Sequence, residues 1–309
     1  MQRRVVEIAA SGRDVHRQHG FLVVDDSSTG EEAGRVPLDD VDSLIISGRG
    51  ARVTRGVLSH LSDRNCPVVI TNENFLPTGM LISIAGHHLQ AKRFDAQVSS
   101  TLPTRKRVWA DITRAKIVQQ SYVLTAAGSP QPRLTQLAKS VKSGDPTNCE
   151  AQAARIYWRE LFGSGFRRDR NLDGINALLN YGYTVLRAST ARAVVSAGLH
   201  PTIGVHHRNE GNPMRLVDDL MEPYRPFFDL QVLALVEAGT LHLTPQTKLA
   251  LAEVLAQDLT NDGAISPIGL CVQRSASSLA DLFLGDRKSI WLPDTQIPTN
   301  LTHLADRRR

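Results

Sequence analysis

Residues 104–122, TRKRVWADITRAKIVQQSY, place Val108, Ile112, Ala115, Gln119 and Tyr122 at three- and four-residue intervals. That spacing lines one face of a long α-helix. The texture upstream is different. Short β-rich runs at 5–8, 21–24, 35–38, 44–46 and 68–70 are broken by the turn residues Gly20, Asp25-Asp26-Ser27-Ser28 and Gly34, which reads as a small sheet domain. One helix interrupts it, because Val53, Val57, Leu58 and Leu61 recur at helical spacing before the stop at Asn65-Cys66-Pro67. Downstream, Ala151, Ala154, Trp158 and Leu161 are expected to share a buried helical face, and a further long helix runs over 173–197 to a stop at Gly198. The expected class is α+β: an N-terminal β domain with one helix over 1–90, an exposed linker over 91–103, and an all-α domain over 104–309. The boundary falls between Ala85 and Pro103, where His87-His88 and Ser99-Ser100 suggest surface chain.

A chain of 309 residues can bury a large core without a disulfide or metal staple. Cys66, Cys149 and Cys271 form no CxxC pair, which speaks against an oxidised framework or a zinc knuckle and for a reducing, cytoplasmic setting. No apolar run approaches the roughly 20 residues of a membrane span, and the amino end lacks the pattern of a signal peptide. Against 31 Asp and Glu stand 36 Lys and Arg, a formal charge of +5. The basic residues concentrate in the middle third, at Arg105-Lys106-Arg107, Lys139, Lys142, Arg155, Arg159, Arg167-Arg168, Arg170 and Arg187, as a polyanionic partner would favour.

Several common site motifs are missing. Gly48-Arg49-Gly50 follows a strand-like run, but Val53 stands where a dinucleotide loop needs its third glycine. There is no Walker loop, HExxH or GxSxG. The chemistry gathers instead in 198–226, GLHPTIGVHHRNEGNPMRLVDDLMEPYRP, where a loop carrying His206-His207 leads into a short helix. There Asp218, Asp219 and Glu222 fall at i, i+1 and i+4. Three carboxylates so placed are either well solvated or a metal site, since they repel one another without a cation. Pro223 biases Glu222 away from regular helix. A second segment, Thr147-Asn148-Cys149-Glu150, opens an amphipathic helix. By itself it reads as a capping box, with Glu150 satisfying a backbone N–H.

Together the segments resemble a known family. The residues that carry the likeness are 149–158 (CEAQAARIYW), 176–183 (NALLNYGY), 204–207 (GVHH) and 218–226 (DDLMEPYRP), and the likeness extends to the N-terminal sheet domain and the stretch 107–117. They are similar to the CRISPR-associated integrase that inserts new spacers, the family conventionally numbered one among the Cas proteins. The paired histidines and the Met-Glu-Pro ending resemble its type II branch. The likeness implies a metal-dependent DNA integrase and endonuclease. It also implies a homodimer, a small second Cas protein as partner, DNA as both spacer precursor and target repeat, and the type II RNA-guided effector nuclease as a further associate. The family's metal ligands map to Glu150, His207 and Glu222, with Asp219 as an auxiliary acid and His206 as the alternative imidazole. Arg225 stands where Arg155 also does, among candidate phosphate contacts, each with a structural salt bridge as its alternative. Arg215-Leu216 replaces the family's usual Asn-Leu.

Oxygen and imidazole ligands with open positions suit Mg²⁺ or Mn²⁺. The implied reaction is a transesterification in which a DNA 3′-hydroxyl attacks a phosphodiester, with no covalent protein intermediate. Two rival readings share parts of this pattern: a metal-dependent phosphohydrolase, which needs a closed pocket for a small substrate, and a DNA-binding scaffold without catalysis. The N-terminal sheet domain is the expected dimer contact.

Overall fold

The computed structural model describes residues 4–73, 77–261 and 264–293; the expected helical domain's last residues, 294–309, lie outside them. The chain begins with β1 (Arg4–Ile8), β2 (Arg13–Gln18), β3 (Phe21–Asp26), β4 (Glu32–Pro37), β5 (Val41–Ile46) and β6 (Arg52–Val53), then α1 (Arg55–Asp63), β7 (Val68–Thr71) and β8 (Pro77–Leu81). These strands form two four-stranded sheets, in the orders β1-β5-β7-β8 and β4-β3-β2-β6. β5 is flanked by parallel β1 and β7, whereas β2, β3 and β4 form an antiparallel meander with Val15 opposite Val24. Val15, Leu22, Leu38, Leu44, Val57 and Leu61 close a core between them.

The opposite face of the first sheet is also covered. Ile45 and Val69 belong to the same core as the helices of the second half, so the two halves share one apolar interior. That explains why β5 reads VDSLII and is buried at Val41, Ser43, Leu44 and Ile45: a central strand with both faces covered cannot alternate.

The second half comprises α2 (Gln90–Val98), α3 (Leu102–Ala126), α4 (Pro132–Ser140), α5 (Cys149–Phe162), α6 (Ile175–Ser196), α7 (Arg215–Met221), a 3₁₀ turn (Glu222–Tyr224), α8 (Arg225–Glu237), α9 (Pro245–Ala252), the hairpin β9 (Asp258–Asn261) with β10 (Ala264–Pro267), and α10 (Ile268–Leu284). α3 and α6 are buried around most of their circumference. Gly182 lets α6 approach α8 closely, since a Cβ there would lie 3.1 Å from the Phe228 ring. α6 stops as expected: Gly198 is left-handed at φ +67, and Leu199 N–H donates back to the Val194 carbonyl.

The structure departs from the expectations in five places. The stretch 91–103 is not open linker, because 90–98 form α2, which packs on α10. The helical half is not all-α, since it carries the β9–β10 hairpin. The N-terminal half holds two sheets, and β2, with the polar sequence RDVHRQ, is held by backbone pairing that leaves no hydrophobic signal. On α5 the buried face is Cys149, Ala153, Tyr157 and Leu161, not the one through Ala151, Ala154 and Trp158. Tyr157 goes inside because its hydroxyl finds Asp229 at 2.9 Å, while Trp158 joins Phe162 and Phe166 in a partly buried aromatic group. Finally, Glu222 keeps right-handed helical dihedrals (φ −53, ψ −45) in spite of Pro223. Pro223 and Pro226 sit in the first turns of the 3₁₀ segment and of α8, where a missing N–H costs nothing. No strain marks this acidic segment. No described helix is long and apolar enough to cross a membrane.

Candidate functional site

Glu150 is brought to the site by the start of α5, and the capping box does not form. Asn148, left-handed at φ 53, is the N-cap, and its side chain accepts from Ala151 N–H. Asp145 supplies the stronger cap: its carboxylate accepts from Cys149 N–H at 2.8 Å and Glu150 N–H at 3.0 Å, a negative charge at the positive end of a helix. The Glu150 carboxylate takes no part in the cap and turns to Lys116 of α3, 2.5 Å from the ammonium. Glu222, whose side chain is only 5% exposed, reaches the same ammonium at 2.6 Å. That contact carries Glu222 Oε2, which is buried against the ammonium. Glu222 Oε1 pairs with Arg225 at 3.1 Å.

The histidine loop is held from two sides. Gln97 of α2 donates to the carbonyls of His200 and Ile203 at 3.0 and 2.8 Å and accepts from His200 N–H at 2.8 Å. Asp219, fully buried, accepts from the backbone N–H groups of Val205, His206 and His207 at 2.7, 3.0 and 3.2 Å. It also holds His207 Nδ1 at 2.5 Å. Gly204 permits this approach, since a Cβ there would lie 2.9 Å from Asp219 Oδ2. His207 therefore presents Nε2 away from Asp219, in the arrangement by which a carboxylate orients a ligand imidazole. His206 is exposed and lies flat on Trp109, centroids 3.9 Å apart and rings 4° from parallel; Trp109 also meets His207 edge-on.

The three acids of 218–222 thus diverge. Asp218 is gripped by Arg187 and by Asn212, Asp219 by the histidine loop, and Glu222 by Lys116 and Arg225. Each is buried and separately partnered, so the cluster is not a solvated face. Arg225 is committed to Glu222 and lies 5.0 Å over the Tyr183 ring, the structural-partner alternative rather than an outstretched phosphate contact. Arg155 is exposed on α5; five residues beyond Glu150, it lies about 140° around the helix. Tyr181 and Tyr183 point apart: Tyr181 donates to Glu7 of β1 at 2.8 Å, and Tyr183 to buried Asp229 at 2.5 Å.

Charge follows this geometry. Burial would raise the Glu222 carboxyl, but Arg225 and Lys116 outweigh it and hold it lowered. Burial would likewise lower the Lys116 ammonium, and Glu222 and Glu150 hold it raised. The hydrogen bond His207 makes to the Asp219 carboxylate raises His207; burial lowers His206. Among the described residues, no three His, Cys, Asp or Glu side chains converge on one point. Glu150 and Glu222 converge on Lys116, with His207 near enough to Glu222 to feel its charge. The residues nonetheless fit a hard divalent ion: two carboxylates on either side of a positive charge, and an imidazole that a buried carboxylate has oriented.

Lys116, Trp109, Gln97 and Asp145 were not among the candidates from sequence. Lys116 carried one readable signal, a lysine within the turn of Ile112, Thr113 and Ile117 on a helix otherwise expected to be buried there.

Fold and site define a class: a double-sheet lobe sharing its core with a helical lobe that gathers two acids, an ammonium and an oriented imidazole. The family described as CRISPR associated protein Cas1 matches residues 6–258, and the chain belongs to that family. It is 41% identical over 228 residues to the CRISPR-associated endonuclease Cas1 of Neisseria meningitidis serogroup C, covering 72% of this chain and 75% of the relative. Among solved structures, a casposase bound to integration product superposes with a TM-score of 0.78 at 23% identity, covering 97% of this chain and 95% of that one. A Cas6-RT-Cas1–Cas2 complex superposes at 0.76 and 18% identity, covering 96% of this chain and 37% of that one.

Proposed function

We propose that this chain is a divalent-metal-dependent DNA integrase and endonuclease of spacer acquisition, with Glu150, His207 and Glu222 as the metal-holding residues. The observation that carries the reading is that Glu150 and Glu222, from separate elements, share one buried cation beside an imidazole that a buried carboxylate has already oriented. The likeness to an endonuclease and to a casposase bound to integration product supports DNA as the substrate. When bound, Mg²⁺ or Mn²⁺ would stabilise the phosphoryl oxygens and activate the attacking hydroxyl. The chain's own residues do the rest. Glu150, Glu222 and His207 would hold the ion, the two acids through their carboxylate oxygens, and Asp219 keeps the His207 proton on Nδ1 so that Nε2 offers its lone pair. Arg225 keeps Glu222 ionised and in place. The 3′-hydroxyl of the incoming strand forms the new P–O bond as the old P–O3′ bond breaks.

Exposed Lys106, Arg107, Lys139, Lys142, Arg155, Arg167 and Arg208 supply the salt-sensitive affinity for the DNA backbone. The Cas1–Cas2 complex supports a small Cas2 protein as partner, and the paired histidines with the Met-Glu-Pro ending favour the type II branch. A homodimer joined through the N-terminal sheets, the effector nuclease as associate and a cytoplasmic location complete the proposal. The phosphohydrolase reading is less well supported, because three cavities among the described residues, of about 380, 700 and 390 Å³, are lined by residues other than Glu150, His207 and Glu222.

The test combines chelation with one substitution. Excess EDTA should abolish strand transfer into a repeat-bearing plasmid in the presence of the Cas2 partner, and Mn²⁺ or Mg²⁺ should restore it. Glu150→Ala should keep the fold and DNA affinity while strand transfer falls by orders of magnitude, because the helix cap is Asp145 and Asn148 and Lys116 retains Glu222. Glu222→Ala removes a buried partner of both Lys116 and Arg225 and should cost about 3–5 kcal/mol. Undiminished transfer in EDTA, or an active Glu150→Ala protein, overturns the metal reading.

A further inference from the structure

We infer that Lys116 is the built-in counter-ion of the candidate metal site: it holds Glu150 and Glu222 together while no divalent ion is bound, and gives up that place when one binds. This rests on the metal reading above. Lys116 lies near the middle of α3, between buried Thr113 and Gln120 and one turn beyond buried Ile112, and its side chain is 10% exposed. A lysine there is costly unless it is paired. Its two partners come from the start of α5 and from the turn after α7, so nothing local requires them to meet; the ammonium is what both touch.

Glu222 does not need Lys116 for neutrality. Arg225 already pairs with its Oε1. The Lys116 ammonium instead takes Glu222 Oε2 at 2.6 Å and Glu150 Oε1 at 2.5 Å. These are the two oxygens that a cation bridging the acids would use. Lys116 and Arg225 together balance Glu150 and Glu222, so a divalent ion added between them would leave an excess of positive charge inside the protein. A divalent ion within ligand distance of both oxygens would also overlap an ammonium 2.5 and 2.6 Å from them. The two occupants exclude each other. The four-carbon lysine stem lets the charge withdraw, and Glu150, at 31% exposed, marks the open side.

The chain therefore binds a divalent ion only by displacing its own lysine, and its apparent affinity is reduced by that competition. It also keeps the two acids at cation-bridging distance before loading.

The experiment is a Mn²⁺ titration of the full chain, followed by the EPR signal of free Mn²⁺, with thermal unfolding measured in EDTA and in Mn²⁺. Lys116→Met and Lys116→Gln should each bind Mn²⁺ at least tenfold more tightly than wild type. They should melt lower than wild type in EDTA and recover most of the loss in Mn²⁺. The glutamine variant, able to hydrogen-bond both acids, serves if the methionine variant does not fold; a methionine variant that folds only with Mn²⁺ present also supports the inference. Unchanged or weaker Mn²⁺ binding in the glutamine variant overturns it, because a lysine with a merely structural role would not oppose the ion. Glu150→Gln separates the two proposals. If wild type binds Mn²⁺ and Glu150→Gln binds it as well, the metal reading itself fails; if Glu150→Gln loses binding while Lys116→Gln equals wild type, only the inference about Lys116 fails.

Discussion

Asp229 offers a sharp test of the electrostatics behind the site. It is 1% exposed on α8 and accepts hydrogen bonds from Tyr157 and Tyr183 at 2.9 and 2.5 Å. Burial pushes its carboxyl from 3.8 up to about 6, against the pull of the two tyrosines, Arg168 and Arg225. The folded state thus holds this proton more tightly than the unfolded chain does. The stability Asp229 contributes is full below pH 3.8 and is lost as the pH rises through about 6. A difference of about 2 units at about 1.4 kcal/mol each makes the loss about 3 kcal/mol. Asp229→Asn cannot ionise, but its amide replaces an acceptor with a donor, so one tyrosine hydroxyl must reorient or go unpaired at a cost of about 1 kcal/mol. Wild type should therefore be the more stable by about 1 kcal/mol near pH 4, and Asp229→Asn by about 2 kcal/mol near pH 7.5. At roughly 1.5 °C per kcal/mol for a cooperative unit of this size, melting curves followed by near-UV circular dichroism from pH 4 to 8 should cross. Parallel pH profiles for the two proteins would refute the reasoning, because the proton on Asp229 would then not be linked to folding.

The start of α5 and the histidine loop give two further expectations. Asp145→Ala leaves the N–H groups of Cys149 and Glu150 without their acceptor; it should cost about 1–2 kcal/mol in urea unfolding and lower Mn²⁺ affinity by releasing the Glu150 backbone. Gly204→Ala forces a Cβ to within 2.9 Å of both Asp219 Oδ2 and Arg215 Cβ. It should keep the fold, shift the His207 imidazole resonances and reduce strand transfer, whereas Gly211→Ala, which meets only Asn209 Oδ1 at 3.5 Å, should do neither.

Part of this protein was legible without coordinates. Short β-rich runs between turn residues located β1, β3, β5 and β7, and helical texture located α1, α3 and α6 with its stop at Gly198, because those elements are apolar on at least one face and bounded by glycine, proline or other turn residues. The candidates Glu150, His207 and Glu222 came from motif likeness, since no local spacing joins three residues so far apart in the chain. What the linear pattern could not show were contacts whose partners lie elsewhere. β2 is polar and exists through its backbone pairing with β3. Tyr157 rather than Trp158 faces the core because Asp229, on α8, accepts its hydroxyl.

Sequence alone determined that a sheet-rich half precedes a helical half and that acids and imidazoles cluster near 206 and 222. Only the tertiary structure decided what those groups touch. Spacing put Asp218, Asp219 and Glu222 on one short helix, but Arg187, the histidine loop and Lys116 draw them apart. The capping box at 147–150 is chemically sound as a local motif, yet Asp145 takes the Glu150 N–H that the Thr147 side chain would have accepted, and the Glu150 carboxylate pairs with Lys116. Local propensity is set by neighbours along the chain; the fate of a buried charge is set by whichever opposite charge the fold brings within reach, since in a low-dielectric interior an unpaired ion costs more than any local preference can return.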